Sequence, residues 1–250
     1  MGECILTADV QFKDNVDKIS LNTFIGQRKT IEMLSTGVSS AKARNESLGH
    51  VLISGPRGSG KSTLATAIAN DLAVGLKIIS VRAIKSESEF AAILTNVEAG
   101  DVLLFENINS IKPDNIDLLC TAMEDFCIDL VLGKGTSARS IRLELPKFTI
   151  VATLDEGTEI PQKLTSCFTY KAVLDFYNAD ELTELAYQCA RKLEVKITEA
   201  GATTIALASK GDFRKLFNTI KRARDFALVK GNGEITEAIA KETISYITDI

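Results

Sequence analysis

The chain has 250 residues, 45% of them hydrophobic, which is room for one full-sized core and a smaller second one. Its 29 basic and 33 acidic residues leave a formal charge of −4, which excludes a polyanion binder working by net charge and confines any nucleic-acid contact to a local basic stripe. A single histidine excludes His-based triads and multi-histidine metal sites, while five scattered cysteines without a CxxC spacing argue against a disulfide framework or zinc site and fit a reduced cytoplasmic protein.

Residues 1–20 are polar without a period and read as an N-terminal arm. They lack the layout of a secretory signal, and Leu6 stands where a myristoylation motif needs Ser or Thr. No run approaches the roughly 18 apolar residues of a membrane span. From Asn22 helix and strand alternate: a helix over 27–43, the strand "HVLIS", a glycine loop, a helix to Leu72, then the strands "LKIISV", "DVLLF" and "KFTIVAT", with a helix over 115–126 before the last. This order predicts a mainly parallel sheet covered on both faces. His50, just before "VLIS", reads as a strand-edge residue. The segment 127–148 holds two alternating apolar runs joined by Gly133-Lys-Gly-Thr-Ser, a hairpin inserted into the α/β core, with Ile128, Leu130, Leu132, Ile141, Leu143 and Leu145 on one side. After Phe176-Tyr177 only helical patterns remain, over 179–193, 198–209, 213–228 and 236–247. The expected domains are therefore a large domain over 21–177 and a small helical one over 178–250.

"GPRGSGKST", Gly55 to Thr63, fits G-x-x-x-x-G-K-[ST] and lies between a strand and an apolar-faced helix, the context a phosphate loop requires. Gly58, Ser59 and Gly60 would present backbone N–H groups to phosphates, Lys61 would reach the β- and γ-phosphates, and Ser62 and Thr63 open the helix whose dipole adds attraction. Ser62 can also offer its hydroxyl to Mg²⁺. The strand "DVLLF" should end in two carboxylates, one for the metal and one for water, but ends in Glu106 and Asn107. Glu106 can hold the metal; Asn107 cannot accept a proton. The alternatives are that Glu106 does both jobs, or that Asp101 or Glu124 folds in. Near 211–230, Leu216, Ile220, Ala223 and Ala227 share a helical face, leaving Lys215, Lys221, Arg222 and Arg224 on a solvated one. Arg214, at the start of that helix, is the better candidate for reaching a nucleotide.

Together, "FIGQ" (Phe24 to Gln27), "HVLISGPRGSGKSTLA", "AAILTNVEAGDVLL", "AMEDFCIDLVLGKGTSARSIRLELPKFT", "DFY" and "RARDFALVKGNGEIT" resemble the RuvB family, AAA+ motors that drive Holliday-junction branch migration with the partner RuvA. The resemblance implies an α/β AAA+ P-loop NTPase, an αβα parallel-sheet core followed by a small helical lid, binding ATP or ADP with Mg²⁺. In that family the nucleotide is also held by the backbone matching Glu124-Asp125-Phe126, by a tyrosine matching Tyr177 and by an arginine matching Arg214. The hairpin at 127–148 is the family's docking element for RuvA.

The departures cluster at hydrolysis. The family's Asp-Glu pair is Glu106-Asn107 here, its following His-Arg is Asn109-Ser110, and its arginine-finger segment is "LTSCF", with Thr165 and Cys167 in place of both arginines. Its sensor threonine falls on Leu154 without a gap, or on Thr153 with a one-residue slip. The Arg-Pro pair that borders the adenine is Asp17-Lys18, and the chain ends at Ile250, where the family continues into a DNA-contacting winged helix. The expectation is a RuvB-like protein of recombination and repair that binds ATP but hydrolyses it weakly or not at all, docks a RuvA-like protein, joins other AAA+ subunits in a ring, and alone binds DNA only weakly. The alternatives are an active branch-migration ATPase and an inert clamp-loader-like subunit.

Overall fold

The computed structural model describes residues 19–132 and 139–248, without the side chains of 130–140 and Thr248. Most of the expected arm, the Asp17-Lys18 pair, the hairpin turn, and the side chains of Leu130 and Leu132 fall outside this description. Two compact units are present, the first mainly Arg28–Ser54 and Lys61–Val173, the second Ile25–Gln27, Gly55–Gly60 and the chain from Leu174 onward.

The first unit is built on a parallel sheet of β1 (Val51–Gly55), β2 (Leu76–Ser80), β3 (Val102–Glu106), β6 (Thr149–Asp155) and β7 (Tyr170–Val173), in the order β2-β3-β6-β1-β7. Strands β3 and β6 are buried along nearly their whole length, which is why their sequences read as unbroken apolar runs rather than alternations. Around the sheet lie α1 (Arg28–Arg44), α2 (Lys61–Leu72), α3 (Glu87–Thr95), α4 (Pro113–Glu124) and the short α5 (Gln162–Ser166). Helix α3 begins at Ser86, whose side chain accepts from the Glu89 N–H, and inserts Phe90 into the core 5.8 Å from the ring of Phe105. Helix α4 starts two residues earlier than its sequence pattern suggests, with Pro113 in the first turn, where its missing N–H is harmless. It also stops earlier, at Glu124, and Phe126 follows in the left-handed region at φ 51°.

His50 does more than end a strand. It is buried, with Nδ1 accepting from the Ile150 N–H and Nε2 donating to the Met123 carbonyl, each at 2.9 Å, so the neutral ring joins β1, β6 and α4. Burial holds its pKa below the usual histidine range, the Met123 contact opposing that shift.

Strands β4 (Cys127–Leu132) and β5 (Arg139–Glu144) pair antiparallel in a two-stranded sheet of their own. The register sets Ile128 opposite Leu143, with Ile141 two residues before it on the same strand, so these three share a face. That face is not apolar surface throughout: Ile128 is wholly buried and Leu145 nearly so, whereas Ile141 and Leu143 are 41% and 37% exposed.

In the second unit α6 (Ala179–Lys192), α7 (Glu199–Ser209), α8 (Phe213–Lys230) and α9 (Glu237–Thr248) pack around Leu182, Ala186, Ile205, Ala206, Leu216, Ile220 and Ala240. A reciprocal capping box of Asn178 and Glu181 opens α6, Thr198 caps α7 and Asp212 caps α8. The apolar face expected of α8 is found: Leu216, Ile220, Ala223 and Ala227 are fully buried. Two further strands, β8 (Lys196–Ile197) and β9 (Glu234–Ile235), pair in parallel and are too short to show an alternation. Among the described residues no helix is long and apolar enough to cross a membrane, and Cys120, Cys127, Cys167 and Cys189 are free thiols.

Candidate functional site

Parallel strands bring their C-terminal ends to one edge of the sheet, where ligands of open α/β sheets bind. Here β1 ends in the glycine loop, β3 in Glu106 and β6 in Asp155. Gly58 and Gly60 take φ of +79° and +92°, which only glycine adopts without strain, and α2 begins at Lys61. Ser59 is buried, its hydroxyl donating to the Pro56 carbonyl at 2.9 Å, which fixes the loop ahead of the helix.

Ser62 Oγ donates to Glu106 Oε1 at 2.8 Å, and Lys61 Nζ lies 3.1 Å from Asp155 Oδ1. The serine hydroxyl and the Glu106 carboxylate are adjacent hard oxygen donors, the type Mg²⁺ takes when phosphates and water complete its shell. Among the described residues no group of three or more His, Cys, Asp or Glu could hold a metal alone. The residues thus fit a metal that arrives with a phosphate.

Asn107 follows Glu106 in the left-handed region, φ 56° and ψ 57°, and its N–H donates to Thr153 Oγ1 at 3.1 Å. Asparagine tolerates that backbone better than most residues. Thr153 is buried beside the end of β3, while Leu154 packs in the apolar core, so of these two residues only Thr153 offers a polar group at this edge.

Two substitute bases do not reach the site. Asp101 precedes β3, a strand's length of about 16 Å from Glu106, and pairs with Lys77 at 2.6 Å. Glu124 sits at the far end of α4 and accepts from Cys167 Sγ at 3.3 Å. The segment Glu124-Asp125-Phe126 lies away from the glycine loop of its own chain. Phe126 packs edge-on to Phe148 at 5.7 Å and lies 6.1 Å from His50, both at the N-terminal ends of their strands and so opposite the glycine loop. Helix α4 runs back along the sheet and delivers this segment there.

Cys167 is nearly buried beside Cys120 and Glu124, and burial first, then those two neighbours, pushes its thiol up to about 12. It carries no charge at neutral pH. In the second unit, Gly58 packs on the N-terminus of α8, with the Phe213 N–H donating to its carbonyl at 3.4 Å. The exposed Arg214 starts the same turn. Tyr177 is buried, its N–H donating to the Gly211 carbonyl at 3.3 Å, and burial with the nearby Glu181 raises its hydroxyl above the ordinary range.

Asp155 was not marked by any motif. The one available signal was a carboxylate closing a buried strand on the edge where parallel sheets bind ligands.

A glycine loop opening a helix from a parallel strand, with a helical unit following, defines a P-loop protein of the AAA+ class. The Holliday junction DNA helicase RuvB P-loop domain family matches residues 17–174, and the RuvB AAA lid domain family matches residues 177–248. Two point mutants of Thermotoga maritima RuvB superpose with TM-scores of 0.83 and 0.84 at 34% and 33% identity, each covering 92% of this chain and 73% of its own. The structure described as the Thermotoga maritima RuvB Holliday junction branch migration motor gives a TM-score of 0.80 at 34% identity, covering 92% of this chain and 72% of its own. The chain belongs to the RuvB family.

Proposed function

We propose that this protein is a nucleotide-binding RuvB-type AAA+ protein of DNA recombination and repair, which holds ATP or ADP with Mg²⁺ on Gly58–Thr63 and hydrolyses ATP slowly. The observation that carries the reading is the contrast at the end of β3: Glu106 sits on Ser62 at 2.8 Å, ready for a metal, while Asn107, next along, has no proton acceptor of carboxylate strength. A general base contributes about 10²–10⁴ in rate and an arginine finger about 10³–10⁵. The neutral Cys167 supplies no charge in the finger's place.

Tyr177 and Arg214 complete the proposed nucleotide contacts. The hairpin, through the exposed Ile141 and Leu143, is proposed to dock a RuvA-like protein, and further AAA+ subunits are proposed to join the chain in a ring. Four free cysteines support a reducing cytoplasmic setting.

The test is calorimetry with ADP and ATP in magnesium buffer, beside phosphate release with and without a RuvA-like protein and junction DNA. Binding that Lys61→Ala abolishes, with near-background release, supports the reading. No heat with either nucleotide overturns it, and robust turnover by the unmodified chain would establish the active-motor alternative.

A further inference from the structure

A P-loop offers its lysine to the β- and γ-phosphates, and here that ammonium already has a carboxylate on it, Asp155 Oδ1 at 3.1 Å. The side chains of Lys61 and Asp155 are only 11% and 25% exposed, so the pair is screened less than a surface pair. Glu106 is engaged separately, by the next residue of α2, Ser62. The two carboxylates therefore divide the start of α2 between them, Glu106 on the hydroxyl and Asp155 on the ammonium.

We infer that Asp155 is a specificity residue that disfavours the γ-phosphate and makes this a site preferring nucleoside diphosphates. The inference rests on Gly58–Thr63 being the nucleotide loop. A phosphate oxygen that takes Lys61 by a hydrogen bond of about 3 Å stands within about 6 Å of the carboxylate already on the same ammonium. Like charges at that range, in a partly buried site, repel far more strongly than in water. A β-phosphate is held by the loop's N–H groups and the helix dipole, whereas a γ-phosphate extends beyond that cradle and depends more heavily on the lysine. The repulsion therefore falls mainly on the triphosphate. Asp155 also weakens Lys61 as a γ-phosphate ligand, because the ammonium must leave or share its present partner.

The experiment is calorimetry on the whole chain with ADP and with the β,γ-imido analogue of ATP in magnesium buffer, for wild type, Asp155→Asn and Asp155→Ala. Both variants keep the main-chain carbonyl of residue 155 to which the Thr158 N–H and hydroxyl donate. The expected result is that wild type binds ADP at least tenfold more tightly than the analogue, and that both variants narrow the ratio at least tenfold by gaining affinity for the analogue. An unchanged ratio with both ligands bound overturns the inference and leaves the loop assignment standing. Weaker binding of the analogue by the variants also overturns it, since the carboxylate would then assist the triphosphate. No binding of either ligand by folded wild type removes the nucleotide reading and this inference with it.

Discussion

The Asn107 N–H donates to Thr153 Oγ1 at 3.1 Å, which ties the end of β3 to its neighbour β6 at the residue where a catalytic carboxylate is expected. Asn107 thereby has two properties that act in opposite directions: its side chain suits the left-handed backbone and cannot serve as a base. Most other L-residues lose about 1–2 kcal/mol in that region. Asn107→Glu should therefore lower stability by about 1 kcal/mol in urea unfolding while raising phosphate release at least tenfold. Adding Cys167→Arg, which gives Glu124 a cationic neighbour, should raise release beyond either single change in assembled protein. Release no faster than wild type in the double variant, with folding retained, would show that the deficit lies elsewhere.

Gly58 is held by the second unit's own packing. A Cβ there would come 2.0 Å from Asp212 Oδ1, the atom that caps α8 by accepting from the N–H groups of Arg214 and Lys215. Gly58→Ala should displace the cap and strain the loop, lowering stability by about 1–3 kcal/mol and weakening nucleotide binding. Asp212→Ala removes only the cap and should lower it by about 1 kcal/mol. Equal losses in the two variants would mean that the left-handed backbone at Gly58 contributes nothing.

His50 gives the fold a pH dependence of definite sign. Its folded pKa lies below the unfolded value of about 6.5. Between the two, the unfolded chain binds a proton that the folded chain refuses, so stability rises with pH there. The full stability is present above about pH 6.5 and is lost progressively as pH falls toward the folded pKa. His50→Gln should flatten that part of the profile and lower stability at pH 7.5 by about 1–3 kcal/mol, since one amide cannot reproduce both bonds to Met123 and Ile150. Parallel pH profiles for the two proteins between pH 5 and 7 would contradict this account.

The elements legible in the sequence were those whose burial leaves a long periodic or apolar run. Strands β1, β3 and β6 and helices α6 to α9 are of this kind. Helix α5 spans five residues, β7 four, and β8 and β9 two each, too few for a period to declare itself. The glycine loop was legible because its chemistry demands fixed spacing. The distance of Glu124-Asp125-Phe126 from the glycine loop follows from length: twelve residues of α4 at about 1.5 Å each carry the chain back across the sheet. The Lys61–Asp155 pair was invisible because it joins residues of two different elements, and nothing local links them.

The hairpin offers the sharpest separation of stability from partner binding. Along one face, burial falls from the wholly buried Ile128 to Leu143 at 37% exposure and Ile141 at 41%. β4 and β5 form a sheet of their own, and the outer part of this face stays exposed. Replacing Ile141 or Leu143 with Asp should lower unfolding free energy by about 1 kcal/mol each, from a poor strand residue and a lost cross-strand contact. Ile128→Asp, which buries an unpaired carboxylate, should unfold much of the population. If the outer face docks a RuvA-like protein, the Ile141 and Leu143 variants will lose its capture at least tenfold while nucleotide binding stays as in wild type. Capture that survives both substitutions in folded protein would assign the partner to another surface and leave the two exposed apolar residues without a role.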